Sequence, residues 1–164
     1  MKKVSILMNC YNSSEYLREA IDSVYAQEYA NWEIIFVDNC STDGSADIAR
    51  SYGDKVRYIR TEANVVLGAA RNYGIKFCDG EYISFLDCDD VWLPGMLKRQ
   101  VAAIDSGDYA LAYAGLVNID KNGDRISDVI PKFKSGNILK ELLLQYDVPL
   151  VTAIIKREKL IDSG

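Results

Sequence analysis

Short apolar runs alternate with amphipathic stretches along most of the chain, the pattern of βα units around a largely parallel sheet. VSILM (Val4–Met8) reads as a strand buried on both faces. EIIFV (Glu33–Val37), Val56–Ile59 and YISFL (Tyr82–Leu86) predict three more strands. Between them, Leu17, Ile21 and Val24 fall at helical spacing. Asp43–Tyr52, started by Thr42 or Asp43, and Gly68–Cys78 predict two further helices. Asn12 with Glu15 three residues on predicts a capping pair for the first helix. Pro94 sits where a helix start tolerates it, ahead of a helix over Met96–Ile104.

After Gly107 the texture changes. Tyr109–Val117 predicts a strand, and Lys121-Asn122-Gly123-Asp124 a hairpin turn into Ile126–Ile130. Ile138–Leu144 predicts a helix and Val151–Ile155 a last strand. No repeat, low-complexity stretch or linker interrupts this order. The expectation is one α/β domain over residues 1–164, with a doubly wound half at 1–100 and a mixed remainder at 101–164. A domain of this length hides roughly 70% of the surface its unfolded chain exposes, so a core needs no staples.

Composition narrows the chemistry. The 164 residues contain no histidine. That excludes Ser-His-Asp and Cys-His nucleophile systems and histidine-ligated zinc, haem or iron. Acid–base and metal work must fall to carboxylates, and aspartates outnumber glutamates sixteen to eight. Hard cations such as Mg²⁺ prefer such oxygen ligands. A net charge of −5 without a basic stripe argues against nucleic acid. No apolar run approaches the ~20 residues of a membrane span, and VSILM is shorter than a signal peptide's ~7–15-residue core. Cys10, Cys40, Cys78 and Cys88 form no CxxC pair, so reduced thiols and a cytoplasmic location are expected.

The polar residues fall at strand ends. Asn9-Cys10-Tyr11-Asn12 follows the first strand, Asp38-Asn39 the second, and Asp87, Asp89 and Asp90 the fourth. Open α/β sheets bind ligands outside the carboxyl ends of their strands, so alternation alone predicts a site there. In FLDCDD (Phe85–Asp90), three carboxylates repel one another unless a cation neutralises them. The D-x-D spacing sets Asp87 and Asp89 on one side of an extended chain. The bland alternative is a solvated acidic loop. Neither Asp87 nor Asp120 opens a calcium-binding loop, because Val91 and Trp92, or Gly123 and Pro131, stand at the wrong places. No G-x-G-x-x-G follows the first strand, which argues against a dinucleotide site. Arg71 is expected in the first turn of its helix, where it suits an anion such as a diphosphate or pairs with a structural carboxylate.

YNSSEYLREAIDSV, EIIFVDNCSTDGS, NVVLGAARNYG and GEYISFLDCDDVWLP together resemble the family 2 glycosyltransferases over Val4–Gln100. The resemblance implies a GT-A fold, a three-layer sandwich with a mostly parallel central sheet, and an enzyme that transfers a sugar from a nucleotide-sugar donor with inversion. It implies that Asp89 ligates Mn²⁺ or Mg²⁺, and that Asp87 holds the ribose or metal-bound water. Asp38 would contact the base, Tyr11 and Asn12 would wall the nucleotide pocket, and Asn64 and Arg71 would approach the nucleotide, its diphosphate or the sugar. A UDP-linked donor and a glycan or lipid-linked acceptor follow from the same likeness. So do a place in polysaccharide or cell-envelope synthesis, a peripheral position at the inner membrane face, and a homodimer as one assembly open to it.

Asn9 stands where many members have Pro, and Val66 where many have Gly. No carboxylate matches the family's base motif. Asp128, Asp147 and Glu158 are available without matching it, and the base is expected beyond Gly164, which makes the chain read as truncated. Two other readings stay open: a non-catalytic nucleotide-sugar-binding module, and a haloacid-dehalogenase-like phosphatase, whose D-x-D follows an early strand.

Overall fold

A computed structural model of the chain describes residues 1–132, 135–138, 140 and 148–162. Its centre is a six-stranded sheet built from β1 (Val4–Cys10), β2 (Trp32–Asp38), β3 (Val56–Arg60), β4 (Tyr82–Phe85), β5 (Leu111–Ala112) and β8 (Ile154–Lys156), in the order β3-β2-β1-β4-β8-β5. The first four strands run parallel, while β8 is antiparallel to both β4 and β5. A separate hairpin pairs β6 (Leu116–Ile119) with β7 (Arg125–Val129).

Both faces of the sheet are covered, which is why β1, β2 and β4 are apolar with little alternation. On one face Val4, Ile6 and Met8 meet Leu17, Ile21 and Val24 of α1 (Leu17–Tyr25), Ala49 of α2 (Ser45–Arg50), and Leu97, Val101 and Ile104 of α4 (Met96–Asp105). On the other, Leu7, Ile35, Val37, Ile83 and Phe85 meet Tyr73 and Ile75 of α3 (Leu67–Ile75) and Leu160 of α5 (Arg157–Asp162). Each fully buried side chain such as Ile6, Ile34 or Phe36 contributes about 1.5–3 kcal/mol. The result is the expected three-layer α/β sandwich.

Helix α3 packs close against the sheet at Gly74. A Cβ on Gly74 would overlap the Leu7 side chain and stand 2.7 Å from Val37 Cγ2, so only glycine lets this helix lie on β1 and β2.

Several local expectations change. The run Tyr109–Val117 is two strands, because Ala114 leaves the ladder: its N–H donates to Thr152 Oγ1 at 3.1 Å. The segment read as a last strand over Val151–Ile155 starts as a 3₁₀ turn, Leu150–Thr152, and becomes strand only at Ile154. The hairpin turn forms as read, with Gly123 at φ 84° and Asp120 Oδ1 accepting from the N–H groups of Asn122 and Asp124. The helix expected at Ile138–Leu144 lies largely outside the described residues.

Candidate functional site

Strands β2 and β3 extend the sheet to one side of β1, and β4 to the other. The chain therefore reverses its direction of winding between β1 and β4, and the crevice at their carboxyl ends is where such sheets take ligands. The ends of β1, β2 and β4 carry the polar clusters picked out above.

Asp87 is half exposed, Asp89 exposed and Asp90 partly buried. Arg71 Nη2 donates to Asp87 Oδ1 at 3.0 Å. Because α3 starts at Leu67, Arg71 belongs to its second turn and not its first. From there it bonds a carboxylate of the protein. Burial, with repulsion from Asp89 and Asp87, pushes the Asp90 carboxyl up to about 6. Three carboxylates thus share the end of β4 with Arg71 as the cation bonded to one of them.

That donor set suits a hard divalent cation. All its ligand atoms are oxygens, and among the described residues no three His, Cys, Asp or Glu side chains converge on one point. Magnesium-type sites commonly use one or two carboxylates and leave the remaining positions to substrate phosphates and water.

Asp38 behaves differently from what the resemblance implies. It is fully buried, and both oxygens are engaged inside the protein. Oδ1 accepts from the Ser41 N–H at 2.7 Å, and Oδ2 accepts from Tyr58 Oη and Arg60 Nη1, each at 2.5 Å. Burial opposes ionisation, but the Tyr58 and Ser41 hydrogen bonds and the Arg60 charge outweigh it and hold the carboxyl below its ordinary value. A ligand reaches this carboxylate only by displacing one of these partners. Tyr58 is itself fixed, stacked on Phe36 with the Arg50 guanidinium 4.1 Å from its ring centre.

Asn12 is no helix cap. Its backbone is left-handed, at φ 51°, and its Oδ1 accepts from the Thr42 N–H at 2.8 Å, while its own N–H donates to Ser41 Oγ. α1 begins later, at Leu17, and its first residue is preceded by Tyr16 with no side-chain cap. The N–H groups of Ser13 and Ser14 are instead capped from the neighbouring loop, by Ser45 Oγ and Asp43 Oδ2. Asp43 also accepts from the Ser45 N–H at the start of α2, so one carboxylate fastens two helix entries.

Asn64 Nδ2 donates to the Asn39 carbonyl, and Asn39 in turn bonds Thr61 and both backbone groups of Val65. Both asparagines therefore shape the loop ahead of α3. Tyr11, 53% exposed, presents its ring at the rim of the crevice. Asn9 Nδ2 is buried with no hydrogen-bond partner among the described residues.

Two neighbours escaped the sequence reading. Arg60 faces Asp38 in the β2–β3 register, and the only available signal was its position at the end of a strand beside an acidic strand end. Cys10 and Cys88 share no CxxC spacing, so the sequence gives no sign of which cysteine neighbours which. Each is buried; Cys10 Sγ meets Ser41 Oγ at 3.8 Å, and Cys88 Sγ donates to the Asn9 carbonyl at 3.3 Å, one residue before Cys10. The neighbouring Cys88 side chain, with Ser45 and Ser41, outweighs burial and draws the Cys10 thiol down to about 6, while Cys10 and burial raise Cys88.

Beside Asp89 and Asp90 opens a cavity of about 750 Å³, walled by Trp92, Leu93, Gln100, Leu116, Ile119 and Thr152 among others. Trp92 is locked into it by Nε1 donating to the Val151 carbonyl at 2.9 Å.

A family model described as "Glycosyl transferase family 2" matches residues 5–162. The chain belongs to this family. An uncharacterized glycosyltransferase of Rickettsia felis is 42% identical over 132 residues, which are 78% of this chain and 22% of that protein. Among solved structures, S. aureus TarS 1-349 in complex with UDP-GlcNAc superimposes with a TM-score of 0.79 at 26% identity, over 98% of this chain and 47% of that one. A mannosyltransferase of Pyrobaculum calidifontis, solved with GDP-Man and Mn²⁺, shares the fold at a TM-score of 0.72 and 18% identity, over 99% of this chain and 47% of that one. These neighbours share the GT-A architecture. The chain spans about a fifth to two-fifths of the length of the Rickettsia relatives it matches. No helix among the described residues is long and apolar enough to cross a membrane.

Proposed function

We propose that this chain is the donor-binding part of a glycosyltransferase that takes a UDP-linked sugar and a divalent cation, Mn²⁺ or Mg²⁺, at the carboxyl ends of β1 and β4. The observation that carries the reading is the meeting of Arg71 with Asp87 at the point where the sheet reverses its winding. Family membership and the UDP-sugar complex of TarS support the donor class. The phosphatase alternative falls with the family assignment.

Asp89 and Asp87 would hold the cation, which when bound supplies charge stabilisation for a departing diphosphate. The rest follows from the chain's own groups. Arg71, bonded to one carboxylate oxygen, keeps further guanidinium donors for a phosphate oxygen. Tyr11 offers a ring face on which a base can stack. Asp38, Asn12 and Asn64 act behind them, holding the three loops at one level so that these groups are set before the donor arrives. The cavity beside Asp90 is the open ground on which a glycan or lipid-linked acceptor would lie, and inversion would follow from its hydroxyl attacking in line. Of the carboxylates weighed as base, Asp128 bonds Arg125 on the separate hairpin and Glu158 lies on α5. Asp147 lies outside the described residues. None is assigned the role.

Calorimetry with UDP tests the proposal. Binding that requires Mn²⁺, and loses that requirement in Asp89→Ala, is expected. Affinity independent of Mn²⁺, or none at all, overturns it.

A further inference from the structure

The register between β1 and β4 pairs Leu7 with Phe85, and the Leu86 N–H continues it by donating to the Leu7 carbonyl at 3.1 Å. Beyond Leu86 the chain leaves the ladder and turns, the Asp90 N–H donating to the Asp87 carbonyl at 3.2 Å, which sets Cys88 in a turn beside the end of β1. The side chains of Cys10 and Cys88 belong to the same core cluster, so they lie on one face of the sheet. Cys88 Sγ donates to the Asn9 carbonyl at 3.3 Å, one residue before Cys10, whose own Sγ meets Ser41 Oγ at 3.8 Å, and each thiol is among the groups that shift the other. Cys88 is moreover the residue between Asp87 and Asp89.

We propose that Cys10 and Cys88 form an oxidisable pair whose disulfide fixes the Asp87–Asp89 turn to the end of β1. The reaction takes two thiols and hydrogen peroxide: each thiol gives up one proton and one electron, an S–S bond forms, the O–O bond breaks, and two waters leave. A small oxidant suits the pair because both sulfurs lie beneath the surface, where a bulky protein partner cannot reach. The other two cysteines offer no competing bridge. Cys40 donates to the Thr61 carbonyl, whereas Cys78 lies on the opposite face of the sheet and burial pushes its thiol up to about 12.

The covalent link replaces the separate hydrogen bonds of the free thiols to Ser41 and the Asn9 carbonyl, so it moves or stiffens Cys88 and with it the flanking aspartates. The effect on the donor site rests on the function proposed above, whereas the bond itself does not.

The experiment treats the reduced protein with hydrogen peroxide and reads intact mass, then maps peptides without reductant. Loss of two hydrogens and one linked peptide pair containing Cys10 and Cys88 are expected, reversed by dithiothreitol. Cys40→Ala and Cys78→Ala should still form the bond, and Cys10→Ala and Cys88→Ala should not. Bridges to Cys40 or Cys78, or oxygen addition without a bridge, overturn the pair, and this reading of the unaltered protein stands even where a variant fails to fold. UDP affinity in Mn²⁺ is expected to fall at least tenfold on oxidation. An unchanged affinity overturns the link to the turn. Absence of UDP binding in the reduced protein overturns the proposed function and leaves the mass result to judge the disulfide.

Discussion

Arg71 Nη2 lies 3.0 Å from Asp87 Oδ1, joining α3 to the turn after β4. The first aspartate of the D-x-D therefore meets any incoming cation with a guanidinium already on one of its oxygens. Removing that guanidinium has two opposite effects. Arg71→Ala is expected to weaken UDP binding in Mn²⁺ about tenfold, equivalent to about 1.4 kcal/mol. The same variant should bind Mn²⁺ alone more tightly, because Asp87 is released. Arg71→Lys should recover only part of the UDP affinity, since an ammonium lacks the planar fork. Titration calorimetry with UDP and with Mn²⁺ separates these effects.

Asp38 is a strut. Asp38→Ala strands the Ser41 N–H, Tyr58 Oη and the Arg60 guanidinium, and about 3 kcal/mol of stability should be lost in urea unfolding. Tyr58→Phe removes one hydrogen bond and should cost about 1 kcal/mol. The sign with pH follows from the depressed carboxyl. Its stabilisation is complete above the unfolded value near 3.8 and is lost as pH falls through the lower folded value. The advantage of the natural chain over Asp38→Asn should hold at neutral pH and shrink below about pH 4.

At Gly74 the helix rests on the sheet. Gly74→Ala pushes α3 away from Leu7 and Val37, and an overpacked contact of this kind costs about 1–3 kcal/mol. Because α3 carries Arg71, the thermal midpoint and UDP affinity should fall together. An unchanged affinity at a lowered midpoint would separate helix position from the site.

Asn12 stands at φ 51° with its carbonyl oxygen on Thr42. Asn12→Gly keeps the backbone and loses the bond; Asn12→Ala loses the bond and strains the backbone by about 1–2 kcal/mol more. Urea midpoints ordered natural chain, Gly, then Ala would bear this out. The reverse order of the two variants would place the residue's importance in its side chain alone.

The layers were legible because burial on two faces leaves continuous apolar strands, and the place of the site was legible because β1, β2 and β4 each end in polar residues. The family motifs supplied the rest of the donor reading. Who bonds whom at the mouth was not legible. Asp38 finds Arg60 through the β2–β3 register, which the apolar pattern of VRYIR does not encode. Asn12 and Glu15 have the spacing of a capping pair, yet Ser45 and Asp43 cap the entry to α1 from about thirty residues away in sequence. Likewise the apolar run after Gly107 shows no break, because the hydroxyl that breaks it belongs to Thr152.

Strand β8 enters between β4 and β5, and Ser84 Oγ donates to the Ala153 carbonyl, 69 residues further along. During synthesis at ~5–20 residues per second, β4 emerges several seconds before its outer neighbour. For that interval Tyr-Ile-Ser-Phe is an apolar strand with an open edge, a template for pairing with another chain. The short segment that arrives about seventy residues after β4 thus guards a nascent protein against its own copies, and variants that delay or weaken Ile154–Lys156 are expected to be lost to aggregates.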